Sequence, residues 1–270
     1  MKIFSLLASV ACLGAVVRAD GAPQDGQKAW SYKTNDPSVY SPAEWGIANP
    51  NCNGKRQSPI DIKTKDLCES EHEAKKLPFE FKGECSEYHL KQLYDAHKAE
   101  VMHGSCSVVA KGKEFKFAQV HFHAPAEHTI NGKVHDGEVH FVHLADDGNA
   151  LVVGLFLDAK KDATTPPFLS GFWDRLEGVN TTNAVDFELE SFYPLVQDAA
   201  SRQRVFNYPG SLTAPKCDEI VDWFVVEKPL AISEEDLSNF QSHLKRIEAS
   251  DDGRTARPTQ PLNGRTVLVY

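Results

Sequence analysis

Histidines and carboxylates crowd between residues 117 and 143, in the run Gln119-Val120-His121-Phe122-His123-Ala124-Pro125-Ala126-Glu127-His128 and, after a turn, in Glu138-Val139-His140-Phe141-Val142-His143. In an extended strand residues two apart share a face, so His121 and His123 present two imidazoles side by side. Asn131-Gly132 signals a chain reversal, and a returning strand from Glu138 to Leu144 brings His140 alongside as a third nitrogen. Three neutral imidazoles from two strands suit a tetrahedral Zn²⁺ with one position left for water, which marks a catalytic rather than a structural site. Gln119 and Glu138 each stand two residues before a histidine of this set, on the same face, where they can accept the second ring N–H. His128, His135 and His143 lack that pattern and read as structural or exposed.

The elements that must hold these residues are mostly strands. Short β-like runs cover 79–81, 88–90, 101–102, 115–123, 138–144, 150–157, 221–226 and 266–270, separated by turns such as Asp147-Gly148-Asn149. Their spacing argues for antiparallel pairing in one sheet, and the unbroken apolar run Leu151 to Leu157 for a central strand covered on both faces. One helix is well marked: Ser233 as cap, Glu234, Glu235 and Asp236 in the first turn, then Leu237, Phe240, Leu244 and Ile247 at helical spacing. Residues 20–50, with isolated aromatics Trp30, Tyr32, Tyr40 and Trp45, read as an irregular arm over the core. The fold class is therefore mainly β (α+β), a single domain.

Composition removes other functions. The chain has 270 residues and a net charge of −9 with no long basic run, so a nucleic-acid backbone or an anionic bilayer gains nothing from contact. Lys2, the apolar stretch Ile3 to Val17 and Val17-Arg18-Ala19 read as a secretory signal over 1–19, leaving a domain over 20–270, with no later membrane span. Export makes the product extracellular, or periplasmic in a bacterial source. The exported chain keeps Cys52, Cys68, Cys85, Cys106 and Cys217, an odd set that forms at most two bridges in an oxidising compartment. Cys85 and Cys106 lie in or beside β-like runs and can pair. Asn180-Thr181-Thr182 is a glycosylation sequon.

The segment Gln119 to His128 with Glu138 to His143 resembles the zinc site of the α-class carbonic anhydrases, and three further blocks resemble that family in order. These are Gln57-Ser58-Pro59-Ile60-Asp61, Tyr208-Pro209-Gly210-Ser211-Leu212-Thr213 and Arg257-Pro258-Thr259-Gln260-Pro261-Leu262-Asn263. The resemblance implies a large twisted, mainly antiparallel sheet with short peripheral helices, and a zinc enzyme converting CO₂ and water to bicarbonate and a proton. It implies His121, His123 and His140 as ligands of one Zn²⁺, Thr213 as a gate hydrogen-bonded to Glu127, and Val142, Val152, Leu212 and Trp223 as the dry wall for CO₂. His97 matches the proton-shuttle position, with Tyr32 ordering the water path and Asp95 and Glu100 lining it. Cys52 and Cys217 match a bridged pair of secreted members, and weak ester hydrolysis is an implied side activity. Asp95-Ala96 before His97 and Ala214 after Thr213 depart from the family pattern. Two rival readings are a cupin-type metal protein with Glu127 as a ligand and a non-catalytic binding protein on the same fold.

Overall fold

A computed structural model of the chain describes residues 28–69 and 77–270. The signal expected over 1–19 lies outside them. The strands are β1 (Asp61–Ile62), β2 (Cys68–Glu69), β3 (Phe79–Lys82), β4 (Glu87–Gln92), β5 (His97–His103), β6 (Ser107–Ala110) and β7 (Lys113–His123). They continue as β8 (Thr129–Ile130), β9 (Gly137–Leu144), β10 (Ala150–Lys160), β11 (Val185–Glu188), β12 (Val205–Gly210), β13 (Val221–Ser233) and β14 (Leu268–Val269). The helices are α1 (Trp45–Ala48), α2 (Pro167–Trp173), α3 (Tyr193–Ser201) and α4 (Glu234–Leu244).

Twelve strands form one sheet with the order β11-β4-β5-β7-β9-β10-β13-β12-β14-β2, and β6 pairs with both β3 and β7. Pairing is mostly antiparallel, as expected, but β10 lies parallel to β13 over its whole length. All of Ala150 to Leu157 is buried, so β10 is indeed covered on both faces. One face carries Val120, Phe122, Val139, Phe141, Leu151 and Val153 into a large core with Phe172 and Trp173 of α2 and Phe240 and Leu244 of α4. The other carries Val142, Val152, Tyr208, Trp223 and Val225.

A bulge in β7 decides which residues reach which face. Pairing with β9 shifts between Phe117 and Gln119, and the extra residue, Ala118, resets the alternation. Phe115 and Phe117 therefore enter the large core, yet Gln119, His121 and His123 all point to the opposite face. Asn131 (φ 52°) and Gly132 (φ 80°) take the left-handed conformation that the reversal between β7 and β9 requires. Helix α4 starts as its sequence suggests, with Ser233 Oγ accepting the Asp236 N–H at 3.0 Å. The arm packs Trp30, Tyr32 and Trp45 edge to face around the Cys52–Cys217 disulfide.

Candidate active site

His121 on β7 and His140 on β9 face each other across the ladder, and His123 follows two residues along β7. One ring nitrogen from each lies within 4.8 Å of the others. The outward nitrogens have acceptors: His121 Nδ1 is 2.8 Å from Gln119 Oε1, His123 Nδ1 is 2.6 Å from the Thr255 carbonyl and His140 Nε2 is 2.8 Å from Glu138 Oε1. A carbonyl or carboxylate oxygen only accepts, so each outward nitrogen carries the hydrogen. The inward atoms, His121 Nε2, His123 Nε2 and His140 Nδ1, are left with bare lone pairs, the form a metal requires. Burial pushes the imidazoles of His121 and His123 below their usual range and keeps them neutral at pH 7. His123 Nε2 is buried without a hydrogen-bond partner, so an electrophile belongs at this point.

Glu138 is fully buried and saturated. Its Oε2 accepts the backbone N–H groups of Glu127 and His128 at 2.9 and 2.8 Å, and its Oε1 takes His140 Nε2 and His128 Nδ1. Burial alone would raise this carboxyl, but the two imidazoles outweigh it and hold the group well below the usual carboxylate range. His128 thus has a structural role, as do His135, bonded to Asp158 and stacked on Phe156, and His143, whose Nδ1 meets the Phe141 carbonyl. Gly154 lies opposite His140 on β10, and a Cβ there would stand 3.0 Å from Glu138 Oε1. The missing side chain makes room for that carboxylate.

Above the histidines is a pocket of about 90 Å³ lined by Val142, Val152, Leu212, Thr213 and Trp223, together with Asp95, Lys98 and Gln119. The four expected apolar residues are all present on its wall. Thr213 sits on a loop locked to the Gln57-Ser58 segment: Ser58 N–H donates to Ser211 Oγ, Ser211 N–H to Ser58 Oγ, and Trp223 Nε1 to the Ser211 carbonyl. Arg257 ties the third block in, giving Nη1 to Gln57 Oε1 and its backbone N–H to Glu127 Oε1. The sequence blocks that are far apart in the chain therefore meet around one centre. Cys52–Cys217 and Cys85–Cys106 are both bridged, and Cys68 lies on β2 with its side chain outside the described residues.

A family model described as eukaryotic-type carbonic anhydrase matches residues 40–270. The chain belongs to this family. It is 31% identical to carbonic anhydrase 7 of Homo sapiens over 90% of this chain and 97% of that protein. It is 30% identical to a carbonic anhydrase of Nostoc sp. over 84% and 82%. Among solved structures it resembles the α-carbonic anhydrase of Thermovibrio ammonificans, complexed there with sulfanilamide, with a TM-score of 0.73, 32% identity and coverage of 90% and 100%. Family membership sets the cupin-type reading aside.

Within this carbonic anhydrase fold two expectations need correction. His97 does not reach the pocket: residues 98 and 100 of β5 pair with His121 and Gln119, which turns His97 to the opposite face, against His243 of α4. It is 2% exposed, both ring nitrogens lack partners, and burial, reinforced by Arg246 and His243, pushes its pKa down to about 3. The hydrogen bond expected from Thr213 to Glu127 is not formed either. Glu127 Oε2 is buried without a donor, 3.4 Å from His123 Nε2. Of the remaining expected path residues, Asp95 lines the pocket and Glu100 is paired with Lys91 at 2.8 Å. Tyr32 has a buried, unpartnered hydroxyl whose ionisation is opposed by burial and then by the carboxylates of Glu127 and Asp95. Sequence reasoning missed Thr255, which acts through a backbone carbonyl and so has no side-chain signature, and Lys98.

Proposed function

We propose that this chain catalyses the reversible hydration of carbon dioxide to bicarbonate and a proton, with one Zn²⁺ held by His121, His123 and His140. The observation that carries this reading is the convergence of one ring nitrogen from each of three imidazoles whose other ring nitrogens are all anchored. Zn²⁺ in an open three-histidine set supplies a Lewis acid that makes water a nucleophile near neutral pH. Gln119, Glu138 and the Thr255 carbonyl fix the direction of the three lone pairs. Val142, Val152, Leu212 and Trp223 give uncharged CO₂ a dry surface beside them. Thr213 stands on the same wall as the gate, its hydroxyl able to accept a hydrogen bond from the attacking oxygen. Protons leave along the pocket side that carries Asp95, without His97.

The same reading includes export after a signal over 1–19 and a catalytic domain over 20–270. Two disulfides suit an oxidising compartment, and no helix among the described residues is long and apolar enough to cross a membrane. Asn180 lies on an exposed turn where glycosylation would meet no packing.

Zinc content and stopped-flow CO₂ hydration of the purified protein, with His140→Ala alongside, test the proposal. One zinc per chain with rapid hydration, both lost in the variant, is expected. A variant equally fast overturns the zinc assignment to His140, and a metal-free wild type without CO₂ hydration overturns the proposal and favours a non-catalytic binding protein.

A further inference from the structure

The pocket wall carries a cation that none of the roles above uses. Lys98 stands opposite His121 in the β5–β7 ladder, and its side chain is only 9% exposed. Its ammonium has three N–H groups, yet it donates no hydrogen bond to any described residue. Among the described residues its single ion-pair partner is Asp95 Oδ1 at 3.5 Å, an oxygen that is itself buried without a hydrogen-bond partner. Both residues line the pocket, together with the histidine centre. A nearly buried ammonium whose N–H groups meet no protein acceptor presents them to whatever occupies the open side of the pocket.

The substrate and product differ in the respect that matters here. CO₂ is uncharged and gains little from an ammonium, whereas bicarbonate is a planar monoanion with oxygens to accept a charge-assisted hydrogen bond. We propose that Lys98 is an anion anchor: its ammonium donates to an outer oxygen of a small planar monoanion, bicarbonate in the reverse reaction, seated over the histidine centre. The inference rests on the CO₂-hydration reading and deepens it. Asp95 holds the ammonium in position and offsets its charge, so the anion is oriented without being held so tightly that release slows.

Acetate, a planar monoanion that is not turned over, is the probe. Its dissociation constant is measured by ligand-observed NMR for the purified wild type and for Lys98→Met, Lys98→Arg and Asp95→Asn. Lys98→Met keeps the apolar stem and should weaken acetate roughly tenfold, the worth of one charge-assisted hydrogen bond. Lys98→Arg should restore most of the affinity, and Asp95→Asn should tighten it by freeing the ammonium from its counter-charge. In kinetics, KM for bicarbonate should rise in Lys98→Met far more than KM for CO₂. Unchanged acetate affinity in a folded Lys98→Met overturns the anchor, and if that variant does not fold, unchanged affinity in Asp95→Asn does so. A wild type without zinc or CO₂ hydration overturns the hydration reading, while the acetate comparison still decides the anchor.

Discussion

Glu138 faces four donors: two backbone N–H groups and two imidazole nitrogens. Glu138→Gln keeps the shape but turns an NH₂ group toward donors, so at least one buried N–H loses its acceptor. The variant should bind zinc about 10–100-fold more weakly, in the range known for residues that orient metal-ligating histidines, and lose about 3 kcal/mol of stability. Chelator competition and denaturant unfolding measure the two effects, and unchanged zinc affinity would remove Glu138 from the centre. His97 gives the opposite expectation. Neutral at pH 7 and sealed from the pocket, it should be replaceable by Leu with no specific loss of turnover in dilute buffer. A loss that added imidazole restores would return it to the proton path.

At the scale of elements, the shared face of Gln119, His121 and His123 on β7, that of Glu138 and His140 on β9, and the cap of α4 were legible because each follows from residues close in sequence, whereas the bulge at Ala118 was not. Nor were three further features. The parallel pairing of β10 with β13 joins strands separated by two helices, and hydrophobic period does not encode strand direction. Strand β12 contains Pro209-Gly210, which reads as a turn; Pro209 fits because it lies beyond the short stretch that β14 pairs with. The start of β5 was hidden as well, and a one-residue difference in phase exchanges His97 for Lys98 on the pocket face. The loop carrying Thr213 is held by hydrogen bonds between Ser211 and Ser58 and by Cys52–Cys217, which spans 165 positions. Closing so long a loop restricts the unfolded chain strongly, so Cys52→Ser with Cys217→Ser should lower stability by up to about 5 kcal/mol. CO₂ hydration should fall as well, since Thr213 loses its restraint. An unaltered denaturant midpoint would mean that the Ser58–Ser211 and Arg257 bonds hold the loop alone.

For the molecule as a whole, the two-faced sheet buries imidazoles on both sides, and this makes stability sensitive to mild acid. His143 is 0% exposed and burial pushes its pKa down to about 3, the Phe141 carbonyl only partly opposing this; His97 is pushed down to about 3 in the large core. An imidazole whose folded pKa lies below the unfolded 6.5 binds fewer protons when folded throughout the interval between them. Its full contribution is therefore present above pH 6.5 and is lost as pH falls toward 3. At pH 5 the loss is about 2 kcal/mol for each group and about 4 kcal/mol together, a large part of an ordinary domain's stability. Glu138, an acid held below its usual range, adds to the fall only below about pH 4.5, where the unfolded chain begins to take up its proton. Urea midpoints should thus already decline between pH 7 and 5, above the range in which Glu138 contributes. Replacing His97 with Leu separates this from acid release of a metal, because His97 does not touch the histidine centre: the variant should lose about 2 kcal/mol less than the wild type over the same interval. Identical declines in the two proteins would show that His97 takes up its proton in the folded state, and so has access to water that the packing against α4 denies it.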